Sequence, residues 1–562
     1  MSSSLSFDSS WQTQENSGVG TGPYSQLNAA AGRRQTRLIR RKEAVALASH
    51  HDRCARSIPS FGALHAKRLA PCAAAPVNAE ALPSARTSNG LPGAATVKAR
   101  IVAVVRDGVL SSLGKEVEVT SEAVMEHMAQ RLSFVDPGFS MEVFTESQLQ
   151  GRGELQSFQD SCAACDIAVV EGVQEEAAAE AILQSTATVP TVVAFGCMPC
   201  LQAAMRLGGL SPADAGLWQQ LQAALPWTGA ARAKELLASV QELWGRHSSD
   251  DLVSMLLVLI DAYVTKVDRL DSLRASGPLT IARMIKNCGP QIFACVNDPE
   301  CKAALDCLQA CSATDQVCSY RCIVSHESQL LEDFSLCVLQ KHNCMGKSAE
   351  IPALPDPPPM AAFRGEDLTH ELAESLFIGW LGKEDWSWRV VAGQNAAYDQ
   401  FPCQYQIFYR GKARNSMWYD PVFQVKTLAG QMVWRRRHYR VRRAKQPGTF
   451  NFSVLDNGVI SKEYWRIVDV PDDLSWALFA YSGAASAAGQ CYTGAVLCTP
   501  DGRWPAPAAE ERVNAALRLA GIEPWELFRV DNSCCSGMPL GVPEKDAASN
   551  PASQSLTVMQ PA

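Results

Sequence analysis

The sequence lacks three features that would have pointed directly to a function class. Its 562 residues carry a net charge of −7, so no overall positive field favours a nucleic-acid partner. No predicted strand is followed by a Gly-x-Gly-x-x-Gly turn or a phosphate-binding loop, so nucleotide binding is not expected. The most apolar run, residues 252–264, is short and contains Asp261, which favours a buried helix over a membrane span.

Residues 1–95 differ in composition from the rest of the chain. They are rich in serine, alanine and arginine and poor in acidic residues, and residues 33–42 read RRQTRLIRRK. This composition is typical of an organellar transit peptide, and the serine and alanine content favours the chloroplast over the mitochondrion. A disordered tail that the mature protein keeps is the alternative. A second apolar segment for transfer to the thylakoid lumen is not evident, so lumen and stroma both stay open.

Residues 96–276 are predicted to form an α/β domain. Four apolar runs, ARIVAVV, MEVFT, DIAVV and TVVAF, alternate with helix-like segments such as SEAVMEHMAQRL and EEAAAEAILQS. Short buried strands that alternate with helices indicate βαβ units and a parallel sheet. Three further helical stretches follow, and the sequence gives no account of what this domain does.

Two Cys-x-x-Cys motifs fall in the same domain, CAAC at residues 162–165 and CMPC at residues 197–200. CMPC lies between a predicted strand and a helix, which is the place of a thioredoxin-like redox motif. The order of helices and strands is otherwise unlike thioredoxin, so buried thiols are the favoured interpretation. A four-cysteine zinc site is the alternative.

Residues 277–350 contain nine of the 20 cysteines and are predicted to form a disulfide-rich helical domain. The stretch CLQACSATDQVCSYRC has two Cys-x-x-x-Cys pairs, and cysteines four residues apart share one face of a helix. Two such helices joined by a short turn are antiparallel, which sets Cys307 opposite Cys322 and Cys311 opposite Cys318. Disulfides are favoured over zinc because zinc sites more often use Cys-x-x-Cys, and His326 is the only histidine nearby.

The remaining cysteines of this block are assigned by spacing. Cys288-x6-Cys295 and Cys337-x6-Cys344 could each close a small loop, which leaves Cys301 as a free thiol or as the partner of a distant cysteine. Because the domain is small and poor in apolar bulk, disulfides would supply stability that its core cannot.

A proline-rich linker, residues 351–362, leads into an antiparallel β domain predicted for residues 363–533. After the helix LTHELAESLFIGW, seven or eight strand-like segments follow one another with Gly, Asn, Asp or Pro at the breaks. This spacing is typical of a closed barrel or a sandwich. The arginine-rich strand at residues 435–443 is interpreted as solvated, and a site for an anionic lipid, ascorbate or a partner is the alternative. Residues 534–562 are expected to be disordered.

Four strings in residues 287–532 carry a resemblance to a known family. They are DQVCSYRC, FSLCVLQKHNC, DWSWRVVAGQNAAYDQFPCQYQIFYRG and VWRRRHYRV. They resemble the violaxanthin de-epoxidase family, and most of all the violaxanthin de-epoxidase-related proteins of plants and algae, which carry an extra N-terminal α/β region. The resemblance implies a multidomain fold with an α/β domain, a disulfide-rich helical domain and a lipocalin-like antiparallel barrel. It also implies a disulfide between Cys403 and Cys534 or Cys535, with Cys534 taken as the partner.

The resemblance further implies which residues carry the chemistry. Asp399 in YDQF and Glu463 in KEYW match acidic positions at the barrel, and Tyr481 in LFAYSG matches a pocket tyrosine. Opening an epoxide needs a protonated carboxylic acid near the strained oxygen, and an apolar barrel would keep such an acid protonated. These three residues are therefore the expected catalytic residues.

Three other residues are expected to bind substrate. Gln404 and Phe408 match pocket-lining positions of the family. Trp465 is expected in the barrel core or rim, and stacking along a polyene is its alternative use. The chain departs from the family where Gln406 and Tyr409 replace titrating histidines. It departs again where Tyr464 replaces a second carboxylate and Cys498 replaces a pocket tyrosine.

The implied function is that of a chloroplast oxidoreductase which reduces or isomerises a xanthophyll epoxide with ascorbate as electron donor. Its implied partners are the carotenoid and a galactolipid or thylakoid membrane surface, with no nucleic acid, no metal and no nucleotide cofactor. The alternative is a disulfide-stabilised barrel that binds a carotenoid or another apolar ligand without converting it. Carboxyl groups of Asp399 and Glu463 that face the cavity without charge partners would favour the enzyme.

Overall fold

The computed structural model describes residues 96–113, 117–211, 229–271, 278–312, 314–381, 383–413 and 415–542. The predicted transit peptide, residues 1–95, lies outside the described residues, and so does most of the predicted disordered tail. Within the described ranges no helix combines the length and the apolarity that crossing a membrane requires.

A four-stranded parallel sheet forms the centre of the α/β region, as the alternating sequence pattern predicts, with strand order β2-β1-β3-β4. Its strands are β1 (Ala99–Val105), β2 (Phe139–Thr145), β3 (Ile167–Glu171) and β4 (Thr191–Phe195). Its helices are α1 (Ser121–Val135), α2 (Arg152–Ala164), α3 (Glu176–Ser185), α4 (Pro199–Ala203), α5 (Gly229–Gly245), α6 (Ser249–Tyr263) and α7 (Asp268–Asp271), with a 3₁₀ turn at Gln148–Gln150.

Both faces of this sheet are covered. Because successive side chains of a strand point to opposite faces, Ile101 and Ala103 of β1 enter one apolar core, whereas Val102 and Val104 enter the other. The first core also contains the buried apolar side of α6. The apolar run at residues 252–264 is therefore a buried helix, as its Asp261 indicates.

The cysteine-rich region is a set of short helices with a π-helical end. They are α8 (Pro278–Asn297), α9 (Pro299–Ala310), α10 (Gln316–Ser325) and α11 (Gln329–Ser335), followed by the π-helical turn Leu336–Lys341. Helices α9 and α10 form the expected hairpin. In the structure Cys307 is bonded to Cys322 and Cys311 to Cys318, the pairing that the hairpin predicts.

The two loop-closing disulfides assigned by spacing are wrong. Cys288 is bonded to Cys337, and Cys295 is bonded to Cys301, while Cys344 is a buried free thiol. Cys288 and Cys295 both lie in α8, where seven residues advance the helix by about 10 Å. That distance exceeds the Cα separation of a disulfide, so each cysteine pairs with another helix.

The C-terminal region is an eight-stranded antiparallel barrel. It is preceded by the hairpin β5 (Ala362–Phe363) and β6 (Glu366–Asp367) and by α12 (His370–Ile378). The barrel strands are β7 (Trp388–Gly393), β8 (Tyr405–Arg410), β9 (Ser416–Lys426), β11 (Tyr439–Arg443), β12 (Thr449–Asp456), β13 (Val459–Asp469), β14 (Ala477–Ala485) and β15 (Gln490–Thr499). Strand β8 pairs with both β7 and β9 and so closes the ring.

Several smaller elements are attached to the barrel. Strand β10 (Met432–Arg436) pairs with the end of β9, and β16 (Phe528–Arg529) pairs with β7. The others are α13 (Glu510–Leu519) and 3₁₀ turns at Ser486–Ala488, Pro507–Ala509 and Pro524–Glu526. Helix α13 packs on the outside of the barrel wall through Val513, Ala516 and Leu517.

The second correction concerns the disulfide near the C-terminus. Cys403 is bonded to Cys535, whereas Cys534 is an exposed free thiol. In an extended chain, neighbouring side chains point in opposite directions, so only one of two adjacent cysteines can face the barrel. The backbone N–H of Cys403 donates to the carbonyl of Asp531, which holds this part of the chain against the barrel.

Candidate active site

Asp399 lies on the turn that follows β7. Its backbone N–H donates to the carbonyl of Asn395 (2.8 Å), and the N–H of Asn395 donates to Asp399 Oδ2 (2.8 Å). A Cβ atom at Gly393 would lie 2.2 Å from the Cβ atom of Asp399, so only glycine at the end of β7 leaves room for the side chain. The turn thereby holds the carboxyl group at one end of the barrel interior.

Tyr481 reaches this carboxyl group from β14. Its hydroxyl donates to Asp399, with its oxygen 2.8 Å from Oδ1 and 2.9 Å from Oδ2. Tyr481 is paired across the sheet with Gly494 of β15, where a Cβ atom would lie 2.4 Å from the tyrosine hydroxyl. A second glycine therefore makes space for a site residue.

Glu463 of β13 lies in the same cavity. Its Oε2 accepts from Trp465 Nε1 (2.6 Å), and its Oε1 accepts from the hydroxyls of Tyr492 (2.8 Å) and Tyr439 (3.4 Å). Glu463 and Tyr492 both flank Gly483, where a Cβ atom would lie 2.5 Å from the Tyr492 ring. The period of two along β13, β14 and β15 places these side chains on the inward face.

Both carboxyl groups are buried, and no counter-ion for them lies among the described residues. The side chains of Asp399 and Glu463 form no salt bridge with any residue that the structure describes, and nearby arginines bind other acids. Arg437 pairs with Asp456 (2.8 Å), and Arg466 pairs with Asp356 (2.6 Å). Because burial penalises the charged form, it raises the pKa of Asp399 to about 8, against the opposing effect of the Asn395 N–H. Burial also raises the pKa of Glu463, opposed by its bond from Trp465.

The three expected substrate-binding residues have different positions. Gln404 lines the cavity and donates through Nε2 to the backbone carbonyl of Asp399 (2.5 Å). Trp465 also lines the cavity and stacks on Tyr481, with ring centroids 5.2 Å apart. Phe408 is fully buried, packs on Phe377 and does not line this cavity. Phe408 is therefore part of the barrel core.

The positions where the chain departs from the family contain no imidazole. Gln406 accepts a hydrogen bond from the hydroxyl of Tyr419, and both side chains line the cavity. The hydroxyl of Tyr409 donates to Asp420 (3.4 Å). Cys498 is a buried free thiol on β15, and burial raises its pKa far above the usual value.

The tyrosines and glycines that complete the site were not among the residues predicted from the sequence. Tyr439 and Tyr492 bind Glu463, while Gly393, Gly483 and Gly494 provide space for the acids and tyrosines. A signal for the glycines was present, because Gly483 and Gly494 interrupt segments that otherwise have the pattern of strands. Glycine inside a strand often marks a place where another group approaches the backbone closely.

The cavity around the acids is small. Its volume is about 70 Å³, and it is bounded by side chains from β8, β9, β11, β13, β14 and β15, together with Tyr320 of α10 and Tyr398 of the Asp399 turn. A larger cleft of about 570 Å³ lies between the cysteine-rich helices and the mouth of the barrel. Tyr320, Tyr398, Tyr439 and Tyr492 border both spaces.

Residues 435–443 do not form one strand, as predicted, but fall on β10 and β11 with Arg437 and His438 between them. Arg435 and Arg437 of this segment bind the helical hairpin. Arg435 pairs with Glu327 (2.8 Å) and donates to the carbonyl of Val324 through Nε (3.0 Å) and Nη2 (2.7 Å). Arg437 also binds Glu327. The interpretation of this strand as simply solvated is therefore wrong for Arg435 and Arg437, which attach α10 to the barrel.

The cysteines of the helical hairpin and those of the α/β region differ in their bonding state. Sulfur atoms of Cys311, Cys318 and Cys322 lie within 4.8 Å of one another, but all three belong to disulfides and offer no free thiolate to a metal. The Cys-x-x-Cys cysteines of the α/β region are free thiols, buried except at Cys200. Among the described residues they form no group of three metal-ligating side chains.

The fold and site define the C-terminal region as a lipocalin-like barrel with two buried carboxyl groups that form no salt bridge within the described part of the chain. Residues 280–532 match the family model described as the VDE lipocalin domain. In this region the chain is similar to the violaxanthin de-epoxidase family, as the quoted sequence strings predict.

Two relatives give the extent of the similarity. The chain is 22% identical over 321 residues to the chloroplastic violaxanthin de-epoxidase of Nicotiana tabacum, covering 56% of this chain and 61% of that protein. It is 25% identical over 295 residues to the chloroplastic violaxanthin de-epoxidase of Arabidopsis thaliana, covering 50% and 58%. The chain thus spans about three fifths of the length of these curated relatives.

Solved structures are similar to the chain only at a low level. Lobster apocrustacyanin A1 is 10% identical, with a TM-score of 0.22, covering 33% of this chain and 96% of that one. The siderocalin Ex-FABP is 10% identical, with a TM-score of 0.21, covering 26% and 93%. At these scores the likenesses carry no argument about function.

Proposed function

We propose that this protein reduces a xanthophyll epoxide to the corresponding alkene inside its barrel, with ascorbate as the electron donor. The observation that carries the proposal is the pair of buried carboxyl groups, Asp399 and Glu463, which face one cavity without a salt bridge to any described residue. A protonated acid in an apolar site is what epoxide opening requires, and the pKa of about 8 keeps Asp399 protonated at neutral pH.

The reaction balances as one epoxide and one ascorbate giving one alkene, one water and one dehydroascorbate. Asp399 donates a proton to the epoxide oxygen as the first C–O bond breaks. Two electrons from ascorbate then form the double bond as the second C–O bond breaks, and a second proton completes the water. Glu463 supplies that proton, and its bonds from Trp465 and Tyr492 stabilise the carboxylate that remains.

Tyr481 has a supporting role in this scheme. Its hydroxyl binds both oxygens of Asp399, so it orients the carboxyl group and stabilises the negative charge that forms after proton donation. Trp465 stacks on the Tyr481 ring and offers an aromatic surface to a conjugated chain. Gln404 holds the Asp399 turn through its hydrogen bond to the backbone carbonyl of Asp399.

The compartment and the lipid partner belong to the same proposal. The curated relatives are described as chloroplastic, and the composition of residues 1–95 favours the same organelle. A xanthophyll is too apolar to be free in water, so the protein would take it from a galactolipid phase such as the thylakoid surface.

The test is an assay of the oxidised full-length chain with violaxanthin, galactolipid micelles and ascorbate. Products are separated by chromatography at pH 5, 7.5 and 9. Asp399→Asn and Glu463→Gln are expected to lower turnover at least about 100-fold, the usual contribution of a general acid. Asp469→Asn, which removes an exterior partner of Arg512, is the matched control and is expected to leave turnover unchanged.

The outcomes separate the enzyme from a binding protein. Epoxide loss that both site variants abolish and the control keeps supports the proposal. Pigment that copurifies with the chain but is not converted, with or without ascorbate, would overturn it in favour of a non-catalytic carotenoid-binding barrel.

A further inference from the structure

The cavity around Asp399 is too small to hold the whole of the substrate that the proposed function requires. At about 70 Å³ it has space for only a few water molecules. The adjoining cleft of about 570 Å³ is within the range of small-molecule sites. The larger space is therefore the place to look for the bulk of an apolar ligand.

The cleft is lined on one side by the disulfide-linked helices. Their contribution is largely apolar, with Leu305, Leu308, Ile323, Phe334, Val338 and Leu339 among the lining side chains. The barrel side is mixed, with Val459, Ala485 and Ala488 beside polar residues such as Asp456 and Asn457. The apolar helical side excludes water and suits an extended hydrocarbon chain.

Aromatic rings separate the cleft from the cavity of the acids. The ring of Tyr398 lies 4.5 Å from that of Tyr320 and 4.9 Å from that of Tyr492, measured between centroids. Tyr398 directly precedes Asp399 in the chain, so displacement of its ring would open the cleft beside the catalytic carboxyl group. Tyr320 lies between Cys318 and Cys322, both of which are in disulfides.

We propose that the cleft between the cysteine-rich helices and the barrel mouth binds the conjugated chain of the substrate, and that Tyr320 and Tyr398 form a gate through which its epoxide end reaches Asp399. The occupant is a linear polyene, since the cleft is largely apolar and is separated from the acid cavity only by these rings. This inference rests on the proposed function for the identity of the ligand. The disulfide-linked hairpin then has a function beyond stability, because it holds one side of the gate.

The test uses cis-parinaric acid, a linear fluorescent tetraene, titrated into the oxidised full-length chain. Leu308→Gln, in the cleft, is expected to weaken binding about 10-fold, as a polar group placed in an apolar site should. Leu527→Gln is the matched control, because it lines a separate groove beside α13. Circular dichroism and thermal melts confirm that both variants are folded.

The two variants distinguish binding in the cleft from binding elsewhere on the chain. Binding weakened by Leu308→Gln and not by Leu527→Gln supports the cleft, whereas the reverse result or equal effects would overturn it. Asp399→Asn is expected to bind the probe as the unaltered chain does. Binding that meets these expectations without epoxide turnover would retain the cleft and reject the proposed reaction.

A separate observation concerns the α/β region. Asp250, the second residue of α6, accepts from Gln394 Nε2 (3.0 Å) and from Arg131 Nη2 (2.5 Å) through the same oxygen. Gln394 is buried and directly precedes Asn395, whose N–H binds Asp399. A continuous set of contacts therefore leads from the α/β region to the carboxyl group in the barrel.

Arg131 is itself fixed from the barrel side. Its Nη1 donates to Glu526 Oε1 (2.9 Å), and Glu526 Oε2 lies 2.7 Å from His127 Nε2. Glu526 is fully buried, and its neighbour Trp525 inserts into the apolar core of the α/β region. The two regions are thus joined at the back of the Asp399 turn.

The geometry points to Arg131 and Asp250 as positioning residues for Asp399, which act through Gln394 and the Asn395 turn. This inference also rests on the proposed function for the role of Asp399, but its test does not need turnover. The infrared C=O band of the protonated Asp399 carboxyl group, identified by its loss in Asp399→Asn, is followed as pH is raised. Its midpoint reports on the surroundings of that group.

Two variants probe the contact in different ways. Asp250→Asn keeps an oxygen for Gln394 but removes a negative charge, so the midpoint is expected to fall by about half a pH unit or more. Gln394→Ala breaks the contact without changing charge and is expected to shift or broaden the band. Asp136→Asn, which removes the partner of Lys98 in the same region, is the control. An Asp399 band unchanged in both site variants, or changed equally by the control, would overturn the inference.

Discussion

The hydroxyl oxygen of Tyr481 lies 2.8 Å from Oδ1 and 2.9 Å from Oδ2 of Asp399, so one tyrosine is shared between both oxygens of a buried acid. The contact is possible because Gly494 stands opposite Tyr481 and Gly393 stands behind Asp399. The site therefore depends on these two glycines as much as on the acid and the tyrosine.

The free energy of unfolding should depend on pH because of this buried acid. In the folded chain Asp399 has a pKa of about 8, against 3.8 as the ordinary value, so folding retains a proton that the unfolded chain loses between these limits. A raised acid pKa makes stability fall as pH rises from about 4 to 8. Asp399→Asn should reduce this fall by at least about 1.4 kcal/mol, the equivalent of one pKa unit. Urea unfolding at pH 5 and pH 8 measures it, and an identical pH dependence in both proteins would contradict the expectation.

Turnover should also depend on whether Asp399 is protonated. Because Asp399 must be protonated to open the epoxide, turnover is expected to be maintained at neutral pH and to decline as pH rises through about 8. Gln406 and Tyr409 supply no imidazole that would restrict activity to acid. Initial rates of epoxide loss between pH 5 and 9.5 test this, and activity confined below pH 6 would show that another group controls the reaction.

The space behind Asp399 can be tested by adding one methyl group. In Gly393→Ala the new Cβ atom would clash with Asp399 Cβ at 2.2 Å, which should cost about 1–3 kcal/mol of stability and displace the carboxyl group. Gly153→Ala, at an open position in α2, is the control and should change stability by no more than about 1 kcal/mol. Denaturant melts and the epoxide assay report the two effects. Full activity in Gly393→Ala would show that the turn can move without consequence.

The disulfide pairing predicts a ranking of serine substitutions. Loop-entropy estimates give about 4 kcal/mol for loss of Cys288–Cys337 and about 2 kcal/mol for loss of Cys295–Cys301. Cys337→Ser should therefore destabilise more than Cys301→Ser, and Cys344→Ser, at a free thiol, should destabilise least. Chemical denaturation ranks the variants, and peptide mapping without reductant identifies the pairs directly. Equal costs for Cys337→Ser and Cys344→Ser would instead indicate that those two cysteines are bonded.

The contact between the hairpin and the barrel depends on Glu327. Glu327→Gln leaves Arg435 and Arg437 with a neutral partner at a largely buried site, and should cost about 1–3 kcal/mol. Glu371→Gln, which removes a largely exposed partner of Arg443, should cost less than about 1 kcal/mol. Limited proteolysis of the hairpin complements the melts, because a loosened α10 becomes accessible. Equal protection in the two variants would mean that other contacts hold the hairpin.

The sequence by itself determined those features that depend on neighbours in the chain. The alternation of apolar strands and helices predicted the parallel sheet, and cysteines four residues apart predicted the pairs Cys307–Cys322 and Cys311–Cys318. The resemblance to a known family, at KEYW and LFAYSG, further implied that Glu463 and Tyr481 belong to the pocket of a barrel. The sheet and the two cysteine pairs each follow from a local repeat that the backbone geometry imposes.

Only the tertiary structure decided the features that join distant segments. Cys288 pairs with Cys337 and Cys403 with Cys535 because packing brings those segments together, which residue spacing does not encode. Likewise the contact of Asp250 with Gln394 crosses 144 residues of sequence. The tyrosines that surround the acids also come from separate strands and from α10. Which remote side chains meet is set by how the whole core packs, so it could be read only from the folded chain.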